Sequence, residues 1–129
     1  MYGLETVAMT KKQESELEVA EMKMLRFELG VTRMDRIRNS LIRGSLHVAP
    51  IANKVREARL RWYGHVKRRD MDYVGQKVLR MALPGKRKKG RPKRRYMDAL
   101  VEDMRTAGVQ ERDTQDRIKW RQSIHCGDP

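Results

Sequence analysis

Apolar residues recur at helical spacing along most of the chain. Leu17, Ala20, Met24 and Phe27 make one face of a stretch that opens at Thr10 and stops at Gly30. Thr10 and Gln13 have the spacing of a capping box, and Gly30 suits a left-handed cap, so a helix is expected over 11–29. Val19, Met22, Leu25 and Leu29 fall off that face, which marks a helix wanted on more than one side, in the core or against a neighbouring domain. Thr32 and Asp35 repeat the cap spacing ahead of a second helix over 33–43, with Met34, Ile37, Leu41 and Ile42 as its apolar face and Gly44 as its end. The two together have the outline of a helix-turn-helix, which ordinary helical hairpins share. The clearest pattern predicts a third helix over 50–69, with Pro50 at its first position. There Ile51, Val55, Ala58, Trp62 and Val66 fall in a narrow arc, and Leu60 and Tyr63 ask for packing on a second side. Gly64 costs that helix about 1 kcal/mol relative to alanine, a cost that a close helix crossing would explain.

Residues 70–75 read as a turn. Residues 76–83 suit either a short strand or a helix ending before Pro84, with the helix favoured. Pro92 is expected to open a fourth helix, to about Thr106, with Tyr96, Met97, Leu100, Val101 and Met104 inward and Asp98, Glu102 and Asp103 outward. A last helix is expected over 112–124, contacting the rest through Ile118, Trp120, Arg121 and Ile124. The fold class is therefore mainly α: about five helices in a small irregular bundle, with a basic extended loop. Three parts follow: a helical region over 1–83, a basic arm or linker over 84–95, and a C-terminal helical pair over 96–129. Residues 1–9 are apolar with few turn signals, the look of a chain cut from something larger.

Charge changes this picture. The net charge of the 129 residues is +13, yet residues 1–30 and 96–129 each carry −2, so residues 31–95 carry +17. Such an excess favours a polyanion, nucleic acid ahead of an acidic membrane. Its densest part is Lys86-Arg87-Lys88-Lys89-Gly90-Arg91-Pro92-Lys93-Arg94-Arg95. A run of this kind is either a solvated connector or an arm laid along phosphates. Lys54, Arg61 and Arg68, seven apart on the third helix, form a second basic row. The expected nucleic-acid-binding residues are thus Lys86, Arg87, Lys88, Lys89, Arg91, Lys93, Arg94 and Arg95, with Lys54, Arg61 and Arg68. The arm would also serve as a nuclear import signal. Trp62, Tyr63 and Trp120 could stack on bases, but core packing is the better account of aromatics at helical spacing.

Candidate catalytic chemistry is thin. His47, His65 and His125 are far apart, and His125-Cys126 is too small a set for a closed zinc site. There is no nucleophile motif and no phosphate-cradling P-loop. The carboxylate pairs Asp70/Asp72 and Glu102/Asp103 read as surface residues rather than holders of two metal ions. No enzymatic activity, cofactor or metal is expected. The single Cys126 excludes an internal disulfide and fits a reducing compartment, and no apolar run is long enough to span a membrane. The expected location is nuclear or cytoplasmic rather than secreted.

Two resemblances sharpen the expectation. Lys89-Gly90-Arg91-Pro92-Lys93 resembles an AT-hook, which implies that Arg91, flanked by Lys89 and Lys93, enters a DNA minor groove. More broadly, Tyr2-Gly3-Leu4-Glu5-Thr6, Arg59-Leu60-Arg61-Trp62-Tyr63-Gly64-His65-Val66, Gly90-Arg91-Pro92 and Asp116-Arg117-Ile118-Lys119-Trp120-Arg121 occur in this order. Together they resemble the C-terminal tail, after the reverse-transcriptase palm, of a LINE-type (non-LTR) retrotransposon polyprotein. Val7 stands where that family usually has tryptophan. The resemblance implies a truncated or relic fragment that holds template, primer or target DNA, with the remainder of the parent reverse transcriptase as a further partner. It carries over no polymerase activity, because no residue here matches the paired catalytic aspartates. The alternative it leaves is an interaction segment that packs on the polymerase core and has no independent function.

Overall fold

The computed structural model describes residues 3–81, 89–90 and 95–128, and the described residues are mainly helical with no strand. Six α-helices follow one another: α1 Lys11–Glu28, α2 Asn39–Leu46, α3 Ile51–Lys67, α4 Val74–Arg80, α5 Tyr96–Ala107 and α6 Arg117–Ile124. Single 3-10 turns lie at Leu4–Thr6, Arg33–Asp35 and Glu111–Gln115. The ambiguous stretch after residue 75 is helical, as α4.

The centre of the bundle is α3, which packs against the Leu4–Thr6 turn, α1, α4, α5, α6 and the Glu111–Gln115 turn. Val55, Leu60, Tyr63 and Val66, which together span more than one side of this helix, are all buried. The main core cluster is Leu60 and Tyr63 from α3, Leu100 from α5, and Trp120 and Ile124 from α6. The C-terminal helical pair therefore shares its core with the region before the basic arm.

Thr10 and Gln13 form the expected capping box at the start of α1: Gln13 N donates to Thr10 Oγ1 at 3.2 Å, and Thr10 N donates to Gln13 Oε1 at 2.9 Å. The face of α1 corrects the sequence reading. Phe27 is 87% exposed and Met24 64%, whereas Glu21 and Met22 are buried. Glu21 decides the orientation. Its carboxylate accepts from Arg43 Nη1 at 2.6 Å, from the Ile51 amide at 3.1 Å and from Lys54 Nζ at 3.4 Å. It thereby ties α1 to α2 and satisfies a free amide at the start of α3, a position where negative charge is favoured.

Three further expectations are corrected. The helix over 33–43 is instead a 3-10 turn, a left-handed Arg36 (φ 52°), and α2, which passes through Gly44 and stops at a left-handed His47 (φ 53°). The short helix-turn-helix outline is consequently absent, since ten residues separate α1 from α2. The helix over 112–124 is divided at Asp116, whose carboxylate accepts from Lys119 N and caps α6. On α5 the buried side includes Asp103 and excludes Val101, and on α6 Ile118 is 73% exposed. The reason for the Asp103 exception is Arg59, only 2% exposed, which donates to Asp103 through Nε at 2.7 Å and Nη2 at 3.1 Å.

Candidate functional site

Arg61 lies on α3 and Arg68 is the residue that caps its C-terminal end, seven residues or about 10 Å further along. Across from them, α6 presents Arg117 and Arg121, one turn apart. These four arginines line a single groove of about 570 Å³, together with Trp62, His65, Trp120 and the lone acid Glu5.

The groove exists because α6 is seated closely on α3. Trp120 is 2% exposed and its indole Nε1 donates to the Leu60 carbonyl at 2.9 Å. Gly64 makes the approach possible, since a Cβ there would lie 2.8 Å from Trp120 Cδ1. The expected close crossing at Gly64 is thus the contact that brings the arginines of α6 to those of α3. Before α6, the chain is held by Thr114, fully buried, whose carbonyl accepts from Arg68 Nη1 at 2.9 Å.

The arginines differ in how they are engaged. Arg61 donates from Nη2 to Glu57 Oε1 at 2.5 Å and its side chain is still 58% exposed. Burial, and then the positive charge of Arg117, lower the pKa of the Arg68 guanidinium. Arg117 and Arg121 are exposed and form no ion pair or side-chain hydrogen bond among the described residues. Arg61 is thus matched by Glu57, whereas Arg68, Arg117 and Arg121 have no acid partner among the described residues. Like charges gathered in this way repel one another, and an anion between them relieves that repulsion.

Trp62 is half-buried, its ring edge-on to that of Tyr96 at 5.8 Å between centroids and 83° between planes. The Tyr96 hydroxyl in turn donates to the Glu5 carbonyl at 2.5 Å. Of the three aromatics considered for stacking, Tyr63 and Trp120 are buried in the core, and Trp62 alone keeps an accessible part on the groove. His65, exposed and edge-on to Tyr73, lines the groove one turn further on.

No protein-family model, curated protein or solved structure matches the chain.

The expected basic row is split. Lys54 is drawn away from Arg61 and Arg68, because its ammonium lies 3.4 Å from Glu21 and 3.3 Å from Asp128 and its side chain is only 22% exposed. In the arm, Lys89 and Arg95 are exposed, and the Arg95 amide donates to Asp98 to start α5 at Tyr96. Lys86, Arg87, Lys88, Arg91, Lys93 and Arg94, with the AT-hook-like contact and the expected helix start at Pro92, lie outside the described residues.

Arg117 and Arg121 were not expected among the binding residues, Arg121 being expected as a packing contact although it is exposed, because the segment containing them sums to −2, which hides two arginines one helical turn apart. Among the described residues, no group of three or more histidines, cysteines or acids is placed to hold a metal ion. Asp70 and Asp72 are exposed, and Asp103 is taken up by Arg59. No helix among the described residues is long and apolar enough to cross a membrane.

The end of the chain closes over the start of α3. The amides of Cys126 and Gly127 donate to Glu57 Oε2 at 3.1 and 2.7 Å, and the Ala49 amide donates to Asp128 at 2.7 Å. Burial acts to raise the Glu57 pKa, but the two amides and His125 outweigh it and leave the carboxyl below its ordinary value.

Proposed function

We propose that the chain is a non-catalytic nucleic-acid-binding segment, akin to the tail of a LINE-type reverse transcriptase, that holds phosphates of template, primer or target DNA. The observation that carries this reading is the meeting of Arg61 and Arg68 with Arg117 and Arg121 in one groove, against the single acid Glu5. Arginine suits this task because its planar, permanently charged fork meets phosphate oxygens two at a time. The basic arm over 86–95 adds eight positive charges to the same chain. Each neutralised phosphate releases condensed counterions, so affinity should fall steeply with salt. The family assignment rests on the sequence resemblance, and a nuclear or cytoplasmic location follows from the same reading.

Fluorescence anisotropy of a labelled oligonucleotide, titrated with the full chain at several salt concentrations, tests the function. The expected log–log slope is several units negative, and it becomes shallower when Lys86–Lys89 are replaced by alanine. Binding indifferent to both salt and these substitutions would sink the reading.

A second reading, an interaction segment that packs on the reverse-transcriptase core, is favoured by the exposed side of α1. Met24 and Phe27 there, with Met34 beyond the helix, are 64%, 87% and 88% exposed. Substituting Met24 and Phe27 with serine would abolish association with such a core while leaving oligonucleotide binding intact.

A further inference from the structure

We infer that the groove between α3 and α6 is a site for single-stranded nucleic acid, in which the arginines hold the backbone and Trp62 stacks on an unpaired base. The inference rests on the nucleic-acid reading above and adds to it the strand state of the ligand and a residue that senses bases.

Three observations converge on it. First, the cations occupy both walls of a concave groove rather than one helix face, so a strand lying in it meets Arg61 and Arg68 on one side and Arg117 and Arg121 on the other. Second, the groove has an aromatic lining. Trp62 is carried on the same wall as Arg61 and Arg68 and is half-buried rather than swallowed by the core, unlike Tyr63 and Trp120. Third, that indole is held in place. Its ring meets Tyr96 edge-on, and Tyr96 is anchored through its hydroxyl to the Glu5 backbone. An aromatic fixed before binding loses little conformational freedom on stacking.

The combination discriminates between ligands. A duplex offers phosphates on a convex surface, with the flat faces of its bases covered by their neighbours, so it can use the arginines but not the indole. A single strand offers both, and stacking on an aromatic tolerates any base because every base has a π-face. The cavity of about 570 Å³ falls within the range of pockets that enclose small organic ligands, large enough for a base with its sugar. Glu5, the one acid among the lining residues, opposes the phosphates and limits affinity.

The test uses the full chain and three labelled probes of about ten residues: oligothymidylate, the same backbone with abasic sites throughout, and a duplex. The unsubstituted chain is expected to bind oligothymidylate roughly 5- to 150-fold more tightly than the abasic strand, the range expected for one base stack. Trp62→Leu should remove that advantage while leaving abasic and duplex affinities unchanged, and Trp62→Phe should retain part of it. Equal affinity of the unsubstituted chain for the oligothymidylate and abasic strands overturns the stacking role and leaves phosphate binding standing. An equal loss on all probes with Trp62→Leu overturns it too, because it reports damage to the groove rather than a lost stack. No binding of any probe overturns the nucleic-acid reading itself.

Discussion

The indole of Trp120 and the carbonyl of Leu60 are joined by a 2.9 Å hydrogen bond that crosses from α6 to the middle of α3. Gly64, one turn beyond Leu60, is the gap through which the indole passes. This contact seats Arg117 and Arg121 opposite Arg61 and Arg68, so the packing of two aromatic-bearing helices sets the geometry of the cationic groove.

Gly64→Ala separates helix propensity from crossing geometry. In an open helix the change would stabilise by about 1 kcal/mol. Here the new methyl meets the Trp120 ring at 2.8 Å, and overpacking costs about 1–3 kcal/mol. The expected result in urea denaturation is net destabilisation, with a change in near-ultraviolet circular dichroism from Trp120. A stabilised variant would show that the helices do not cross this closely.

Removal of Asp103 should be among the most damaging single changes. Asp103→Ala leaves the Arg59 guanidinium buried without its bidentate partner, and breaking a buried pair costs about 3–5 kcal/mol. Arg59 Nη1 already lacks a hydrogen-bond partner among the described residues, and Glu14, 3.8 Å from Nη2, is beyond hydrogen-bonding distance. The double variant Arg59→Met, Asp103→Leu should recover most of the loss, because it removes both charges from the interior. Denaturation midpoints of the two variants check the account.

These buried charges explain how far the sequence could be read. The helical class, the capping box at Thr10, the limits of α3 and the significance of Gly64 followed from spacing and from residues whose local chemistry permits few alternatives. The orientation of α1 did not. Periodicity assigns Met24 and Phe27 inward, whereas the charged Glu21, between Ala20 and Met22, is held inside by Arg43, Lys54 and the Ile51 amide. The same reversal put Asp103 outward and left Arg59 unremarked. Ion pairs join residues 22, 33 and 44 positions apart, and no local pattern reports them. The break at Arg36 carries no strong local signal, because arginine is an ordinary helix residue, whereas Asp116 is a favoured N-cap residue whose signal lies inside a stretch that otherwise reads as one continuous helix. Of the site, Arg61 and Arg68 were read from their spacing, while Arg117 and Arg121 join them only through tertiary packing.

Stability should decline at both ends of the pH scale. The pKa values of Glu57 and Asp128 are lowered from 4.5 and 3.8 in the folded chain, so their contribution is complete above those values and is lost as pH falls through the folded ones. Detachment of residues 126–128 from α3 in acid, followed by amide exchange, is the expected sign, and Glu57→Gln should weaken the acid dependence. At the alkaline end, burial and then the charge of Glu111 push Tyr63 from 10.0 up to about 12. Its raised value favours the folded state below pH 10, and that advantage disappears as pH rises to about 12. Tyr63→Phe should flatten this limb.

Glu5 supplies a test in the opposite direction. It is the lone acid in a groove lined by four arginines, and Glu5→Gln removes its repulsion for phosphate while leaving the backbone carbonyl that holds Tyr96. Tighter oligonucleotide binding is expected, by a few-fold at low salt and less at high salt, as screening shortens the reach of a surface charge.

The most direct measurement is the salt dependence of single-strand binding by the variant Arg117→Gln, Arg121→Gln. Neither arginine forms an ion pair among the described residues, so the fold should survive their loss. With single strands each phosphate contact contributes about −0.7 to the log–log slope, and losing two should make it shallower by about 1.4 while weakening affinity at every salt concentration. An unchanged slope with unchanged affinity would contradict the groove as the place where this chain holds nucleic acid.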